Sequence, residues 1–315
     1  MKRVAVLMGG PSEEHEISLK SGHGAVEALR RRGYAVEPVV IPRQISIEEA
    51  CTLVRRAVHP VPTSWNGVHH QDADVVFIAL HGTFGEDGTI QQLCESMHVA
   101  YTGSDPSASR LGMDKIASRQ RFVDVGLDVP RWRLVNPGEV DHAPINGLHY
   151  PLVIKPSAQG SSIGVSLVKQ PQELAAAVRD AARHGPQVIA EEFIQGRELT
   201  VGVLGELVLP VVEVIPKHGF FDFTAKYTSG MTDYRVPAFL NPETAHRVQE
   251  TGRRAHEARA RPLVARKRRV PGSRGGHGAR GRRCAAAAGL HLRHHRAAQG
   301  RGLSPPRRLF ARDRQ

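Results

Sequence analysis

Long apolar runs, paired cysteines and aromatic residues are all scarce in this chain of 315 residues. No stretch approaches the roughly 18 apolar residues that a membrane span needs, so we expect no membrane partner. Cys51, Cys94 and Cys284 are scattered, which indicates neither a disulfide framework nor a zinc site. The N-terminus lacks a signal peptide, since Lys2 opens an apolar strand pattern that soon meets two glycines. We therefore expect a cytoplasmic protein.

Acidic residues are scarce in only one part of the chain. The net charge is +12, from 43 Lys and Arg against 31 Asp and Glu. Residues 258–315 hold 17 of the basic residues and one acid, Asp313, whereas residues 1–257 hold 26 basic and 30 acidic residues. The basic character is confined to this tail, and the body has the mildly acidic charge that suits a metabolic enzyme.

The body shows two kinds of organisation. Strand and helix patterns alternate at first, as in an α/β protein, with strands at 2–8, 35–41 and 74–80 and helices at 18–32, 89–97 and 107–125. Short strands at 152–155, 163–167, 187–193, 198–204 and 207–215, with one helix at 172–183, then indicate an α+β unit with antiparallel pairing. We place boundaries near Ser104 and Gln187, which gives units 1–104, 105–186 and 187–257 and a tail, 258–315.

Two loops follow apolar strands in the first unit. The loop of residues 9–16 has paired glycines, which let the backbone approach a ligand at a helix N-terminus, and three acids, which suit an ammonium group better than a phosphate. Glu13 and Glu16 are also explained as partners of the helix dipole. His81 leads a glycine-rich loop at the carboxyl end of a strand, the edge where open α/β sheets bind ligands. A purely structural histidine is the alternative.

A third loop, residues 155–164, combines glycines and serines between two strands. Such residues can fold backbone amides over phosphate oxygens, although a simple glycine hairpin has the same composition. Lys155 at the end of the preceding strand favours the phosphate site, because it supplies a cation.

These loops, with Met113-Asp114-Lys115 between the second and the third, resemble in order and spacing the D-alanine–D-alanine ligases of the ATP-grasp superfamily. Further matching blocks are Glu191–Ile194, Gly196–Val201 and Ala225–Tyr227, and the resemblance runs from Lys2 to about residue 257. It implies an α/β fold with an N-terminal Rossmann-like pre-ATP-grasp domain and an α+β ATP-grasp domain, incomplete here. It also implies a homodimer that joins two D-alanines, with ATP and Mg²⁺ or Mn²⁺, for peptidoglycan precursor synthesis.

The resemblance assigns individual roles. On the ATP side it implies Lys115, Lys155 and Lys226 at the phosphates with Ser162 over them, Glu191, Phe193 and Ile194 beside adenine, and Glu198 at the ribose. Glu14 would hold the ammonium group of the first D-alanine near His81, and Glu14, Ser161 and Tyr227 would form a hydrogen-bonded trio that closes a loop. Lactate-using relatives carry phenylalanine where Tyr227 stands, so this tyrosine favours an amine as second nucleophile.

The tail departs from the family. An Arg-x-Asp strand and a Glu-x-Asn strand should supply the metal ligands after residue 257, yet residues 258–315 contain no Glu, no Asn and only Asp313 as an acid. Their low apolar content and high charge predict disorder. We therefore expect no metal ligands, poor folding of the third unit with exposed strand edges, and impaired or absent ligase activity.

Two interpretations of the tail are open. An out-of-frame translation of GC-rich DNA, shifted near codons 253–259, yields this Arg-rich composition, and the DNA sequence across the junction tests it. The alternative is a genuine basic arm that binds nucleic acid through phosphates. The rival functions are thus a catalytically dead nucleotide or D-alanine binder with an RNA-binding tail, and another ATP-grasp ligase, against which Glu14 and Tyr227 argue.

Overall fold

The computed structural model describes residues 2–59, 72–138, 145, 147–260, 288–294 and 309–313. Three sheets organise these residues. Within the same ranges, no helix is long and apolar enough to cross a membrane.

The first sheet is parallel, with the order β2-β1-β3-β4. Its strands are β1 (Arg3–Gly9), β2 (Ala35–Ile41), β3 (Val75–Ile78) and β4 (Ala100–Tyr101), and its helices are α1 (His15–Arg31), α2 (Ile47–Val58) and α3 (Thr89–Ser96). β1 is buried along nearly its whole length because apolar clusters cover both of its faces. β1 and β3 pair side by side, so the loops after them open at the same edge.

A glycine pair on α1 tests how this helix packs. An added Cβ at Gly22 would lie 2.4 Å from Met8 Cβ on β1, whereas one at Gly24 would meet nothing within 4 Å. We expect Gly22→Ala to lower the free energy of unfolding by about 2 kcal/mol through overpacking. The matched Gly24→Ala variant should raise it by about 0.5–1 kcal/mol through helix propensity. Urea denaturation measures both, and equal effects of the two changes would contradict this packing.

The second sheet is antiparallel, with the order β5-β8-β6-β7. Its strands are β5 (Trp132–Val135), β6 (Leu152–Pro156), β7 (Ser166–Val168) and β8 (Val188–Glu192), and α6 (Leu174–Ala182) packs on it after a 3-10 turn, Pro171–Glu173. The predicted boundary near Gln187 would put β8 in the third unit, whereas β8 pairs with β5 and β6. The chain passes from the second sheet to the third between Glu192, the end of β8, and Arg197, the start of the next strand.

The predicted helix over 107–125 is two helices, α4 (Pro106–Met113) and α5 (Lys115–Asp124). Asp114 separates them, and its carboxylate caps α5 by accepting hydrogen bonds from the backbone N–H groups of Ile116 and Ala117. The break places Lys115 at the first position of a helix.

The third sheet has the order β12-β11-β9-β13-β14, with β10 also paired to β9. Its elements are β9 (Arg197–Leu204), β10 (Leu207–Val208), β11 (Val212–Pro216), α7 (Phe223–Tyr227), β12 (Thr232–Arg235), α8 (Pro242–Ala260), β13 (Ala288–His294) and β14 (Leu309–Asp313). α8 packs on β9 through Val248 and Ala255, and α5 joins the same apolar cluster through Phe122. This cluster therefore fixes α5 and α8 against the third sheet.

The tail departs from the prediction of disorder in three segments: residues 258–260 form the end of α8, and two further segments form β13 and β14. β13 pairs with β9 over seven residues, and β14 pairs with β13, so the edge of β9 that we expected to be open is covered. Backbone N–H and C=O groups can pair whatever the side chains, which explains how a segment without the family's sequence pattern pairs with β9. The predicted disorder of 261–287, 295–308 and 314–315 lies outside the described residues.

Candidate active site

One carboxylate joins the three predicted loops. Glu14 immediately precedes α1 and is only 4% exposed. Its Oε1 accepts hydrogen bonds from Ser161 Oγ and, at 3.3 Å, from the Tyr227 hydroxyl, and these two hydroxyls also contact each other. The three residues are far apart in sequence, so this trio holds the first unit, the loop after β6 and α7 together.

Two glycines make room for the Glu14 carboxylate. An added Cβ would lie 2.9 Å from Glu14 Oε2 at Gly82 and 2.8 Å from it at Gly160. Either contact is closer than a methyl group tolerates, and Glu14 is held by its hydroxyl partners. The glycines of the second and third loops therefore let both backbones approach this carboxylate.

His81 lies beside this network and is partly exposed. Its Nε2 is 3.1 Å from Ser21 Oγ, and its Nδ1 is 3.7 Å from Glu86 Oε1. The Glu86 carboxylate raises the pKa of His81 above its ordinary value of 6.5, burial opposes this shift, and the charge of Glu14 adds to it. His81 is therefore more readily protonated than a free histidine.

We expect Glu86→Gln to lower the pKa of His81, as followed by the NMR titration of its imidazole protons. Because the folded-state pKa is raised, the pair stabilises the fold below the unfolded pKa of histidine, and this stability is lost as pH rises through the folded pKa. The pH-dependent difference in unfolding free energy between wild type and variant should therefore vanish at higher pH. Glu27→Gln, which removes an exposed carboxylate on α1, is the control. An unchanged His81 titration in Glu86→Gln would refute the assignment.

Lys115 fixes the third loop from the start of α5. Its Nζ donates to the carbonyl oxygens of Gln159 and Ser157, the latter at 3.4 Å, and its backbone N–H donates to Ser157 O at 3.0 Å. Ser161 and Ser162 have φ angles of 50° and 61°, in the left-handed region that non-glycine residues rarely adopt. Ser162 Oγ also donates to Phe221 O at 3.2 Å. The loop is thus held in a strained shape of the kind that functional sites maintain.

A second charged network lies behind this loop. Lys155 Nζ on β6 is 2.6 Å from Glu191 Oε1 on β8, and Arg119 Nη2 on α5 contacts Glu191 Oε2. All three residues are buried, Glu191 at 1% exposure. Arg119 was not predicted as a site residue from the sequence. Its signal was the spacing of four from Lys115, which places both residues on one face of a helix.

The remaining predicted residues lie around these two networks. The Phe193 ring is 6.3 Å from the Phe220 ring, and Phe193 N–H donates to Pro151 O at 2.9 Å. Lys226 on α7 has its Nζ 5.8 Å from the centre of the Phe221 ring. Glu198 is buried on β9, opposite Val214 of β11, and Ile194 follows β8.

Two family models match most of the chain. The family described as "D-ala D-ala ligase N-terminus" matches residues 3–104, and the one described as "D-ala D-ala ligase C-terminus" matches residues 122–266. The fold and these matches define an ATP-dependent ligase of the ATP-grasp class. The chain belongs to the D-alanine–D-alanine ligase family.

Curated relatives match most of the chain. A D-alanine–D-alanine ligase of Geobacter sulfurreducens is 40% identical over 256 residues, 81% of this chain and 75% of that protein. One of Geotalea uraniireducens is 42% identical over 259 residues, 82% of this chain and 77% of that protein. The family match ends at residue 266, nine residues beyond the predicted end of the resemblance near 257.

Solved structures show the same fold. The VanG D-Ala:D-Ser ligase from Enterococcus faecalis aligns with a TM-score of 0.66 at 28% identity, over 93% of this chain and 86% of that one. A D-alanine–D-alanine ligase from Bacillus anthracis aligns with a TM-score of 0.70 at 24% identity, over 99% of this chain and 86% of that one. A structure of the Bacillus anthracis ligase complexed with ATP has a TM-score of 0.69 at 21% identity, over 99% of this chain and 85% of that one.

Proposed function

We propose that this site is built for the ATP-dependent joining of two D-alanines into D-alanyl-D-alanine, a step of peptidoglycan precursor synthesis. The observation that carries the proposal is the network of Glu14, Ser161 and Tyr227. It puts a buried carboxylate where an ammonium group would be paired, and it ties that carboxylate to a loop and a helix that cover it. Membership of the family supports the same reaction.

The reaction has two balanced steps. The carboxylate of the first D-alanine attacks the γ-phosphorus of ATP, and ADP leaves, which gives an acyl phosphate. The amine of the second D-alanine then attacks the carbonyl carbon, loses a proton, and phosphate leaves. The acyl phosphate must be kept from water, which is the role we assign to the closed contact of Ser161 and Tyr227 over Glu14.

The nucleotide would lie between the second and third sheets. We assign Lys115, Lys155 and Lys226 to its phosphates, with Ser162 over them. The adenine side would be formed by Glu191, Phe193 and Ile194, and Glu198 would hold the ribose. Phosphoryl transfer depends mainly on positioning and on neutralising oxygen charge, so this set of cations supports the assignment.

The residues present do not fit a magnesium site of the family type. Magnesium prefers oxygen ligands, two carboxylates among them, and residues 258–315 offer a single acid, Asp313. Among the described residues, no group of three or more His, Cys, Asp and Glu could hold a metal ion. We therefore propose that this chain binds D-alanine and turns over roughly a thousandfold more slowly than a ligase with its carboxylates, since a metal ion contributes several kcal/mol to charge stabilisation.

Calorimetric titration of the full chain with D-alanine tests the binding part of this proposal. We expect saturable binding of D-alanine and none of L-alanine at the same concentrations, because a site that fixes the ammonium group also orients the Cα substituents. Equal affinity for the two enantiomers, or no binding of D-alanine, would overturn the proposed function.

A further inference from the structure

Arg119 is a buried cation to which the proposed reaction gives no role. Together with Lys155 it brackets Glu191, so that one carboxylate is paired with two cations. The three side chains are 5%, 8% and 1% exposed for Arg119, Lys155 and Glu191 respectively. A buried charge is costly unless it is paired. The presence of two buried cations beside a single carboxylate therefore requires an explanation.

We explain the second cation by the proposed role of Lys155, which contacts Glu191 and would also contact a phosphate of the nucleotide. Its Nζ is held at 2.6 Å from Glu191 Oε1. A lysine that also serves a phosphate shares its single charge and its three N–H donors between the two anions, which leaves the Glu191 carboxylate, buried at 1% exposure, less well neutralised. Arg119 contacts the other oxygen, Oε2, and so keeps Glu191 paired while Lys155 turns to the ligand.

Arg119 is itself held in place. Its Nη1 donates to the carbonyl oxygen of Lys115 at 3.4 Å, and its guanidinium carbon lies 5.8 Å from the centre of the Trp132 ring. A planar, permanently charged group suits this position, because it can bind Glu191 and stack on an aromatic ring together. Arg119 thus links the helix that carries Lys115 to the strands that carry Lys155 and Glu191.

We propose that Arg119 is a positioning residue that sets how readily Lys155 leaves Glu191 for the phosphates of the nucleotide. The proposal rests on the nucleotide site of the proposed function. It separates the ligand into two parts: the phosphates depend on Arg119 through Lys155, whereas the adenine side is affected only through Glu191, which keeps its charge and its contact with Lys155 when Arg119 is replaced.

The test compares ATP with adenosine on the full chain without divalent metal, by calorimetry and by ligand-observed NMR. We expect Arg119→Met to weaken ATP about tenfold and adenosine less than twofold, since a tenfold loss corresponds to one modest charge interaction. Arg133→Met is the control, because Arg133 is an exposed arginine on the neighbouring β5. It should leave both affinities unchanged. Arg119→Lys, which keeps the charge, should retain most of the preference for ATP.

A double variant distinguishes positioning from simple structural support. In Arg119→Met with Glu191→Gln, the charge that holds Lys155 is gone, so the ratio of ATP to adenosine affinity should return toward that of the wild type. An equal loss of both ligands in Arg119→Met, or no loss at all, would overturn the proposal. Failure of the wild type to bind ATP would overturn the nucleotide site itself, and the role of Arg119 with it.

Discussion

We expect turnover to rise roughly a thousandfold when residues 258–315 are replaced by the corresponding C-terminal segment of the Geobacter sulfurreducens ligase. The junction follows residue 257, where the predicted resemblance ends, and the chain is 40% identical to that relative over 256 residues. The physical reason is that the grafted segment restores the carboxylates that this tail lacks, whereas the substrate-side network is already present. Phosphate release with D-alanine, ATP and magnesium measures the gain.

The chimera needs a control for trivial repair of the fold. The same chimera with Glu14→Gln should remain far slower, although it contains the complete C-terminal segment. If the chimera and the original chain turn over equally fast, the tail is not what limits catalysis, and the explanation through missing metal ligands is wrong.

We expect Glu14→Gln to lower the affinity of the original chain for D-alanine roughly 100-fold, a loss of about 3 kcal/mol. The glutamine keeps the shape of the side chain but removes the negative charge that would pair with the ammonium group. It also turns an acceptor of two hydroxyl hydrogen bonds into a group that can present a donor to them. Calorimetric titration with D-alanine measures this loss.

Glu16 provides the matched control, since it is an exposed carboxylate in the first turn of the same helix. Glu16→Gln should change the affinity for D-alanine less than twofold. A similar loss in the two variants would show that the net charge of this turn, and not the buried position of Glu14, attracts the ligand.

The sequence was most informative where local pattern and chemistry coincide. The strands β1, β2 and β3 were predicted within a few residues, and β1 gave the clearest pattern, because a parallel strand covered on both faces is an apolar run. The Glu14, Ser161 and Tyr227 trio was implied by the resemblance, and these residues do meet. One local signal was overlooked: Ser46 and Glu49 form a capping box at the start of α2, a helix that was not predicted.

Long-range contacts account for what could not be predicted. β8 was expected as a strand, but its sheet is decided by pairing with β5 and β6. Arg119 belongs to the site only because α5 carries it onto Glu191, 72 residues further along the chain. The strands β13 and β14 were not predicted, and they join the third sheet through backbone pairing of β13 with β9.

We propose that this chain keeps the substrate side of a D-alanine–D-alanine ligase and lacks the means to turn over at a normal rate. The most direct measurement is phosphate release by the full chain under saturating D-alanine, ATP and magnesium, with D-alanine binding verified on the same sample. We predict a rate below about 0.01 per second. A rate within the ordinary range of enzymes, about 1–1,000 per second, would contradict the claim.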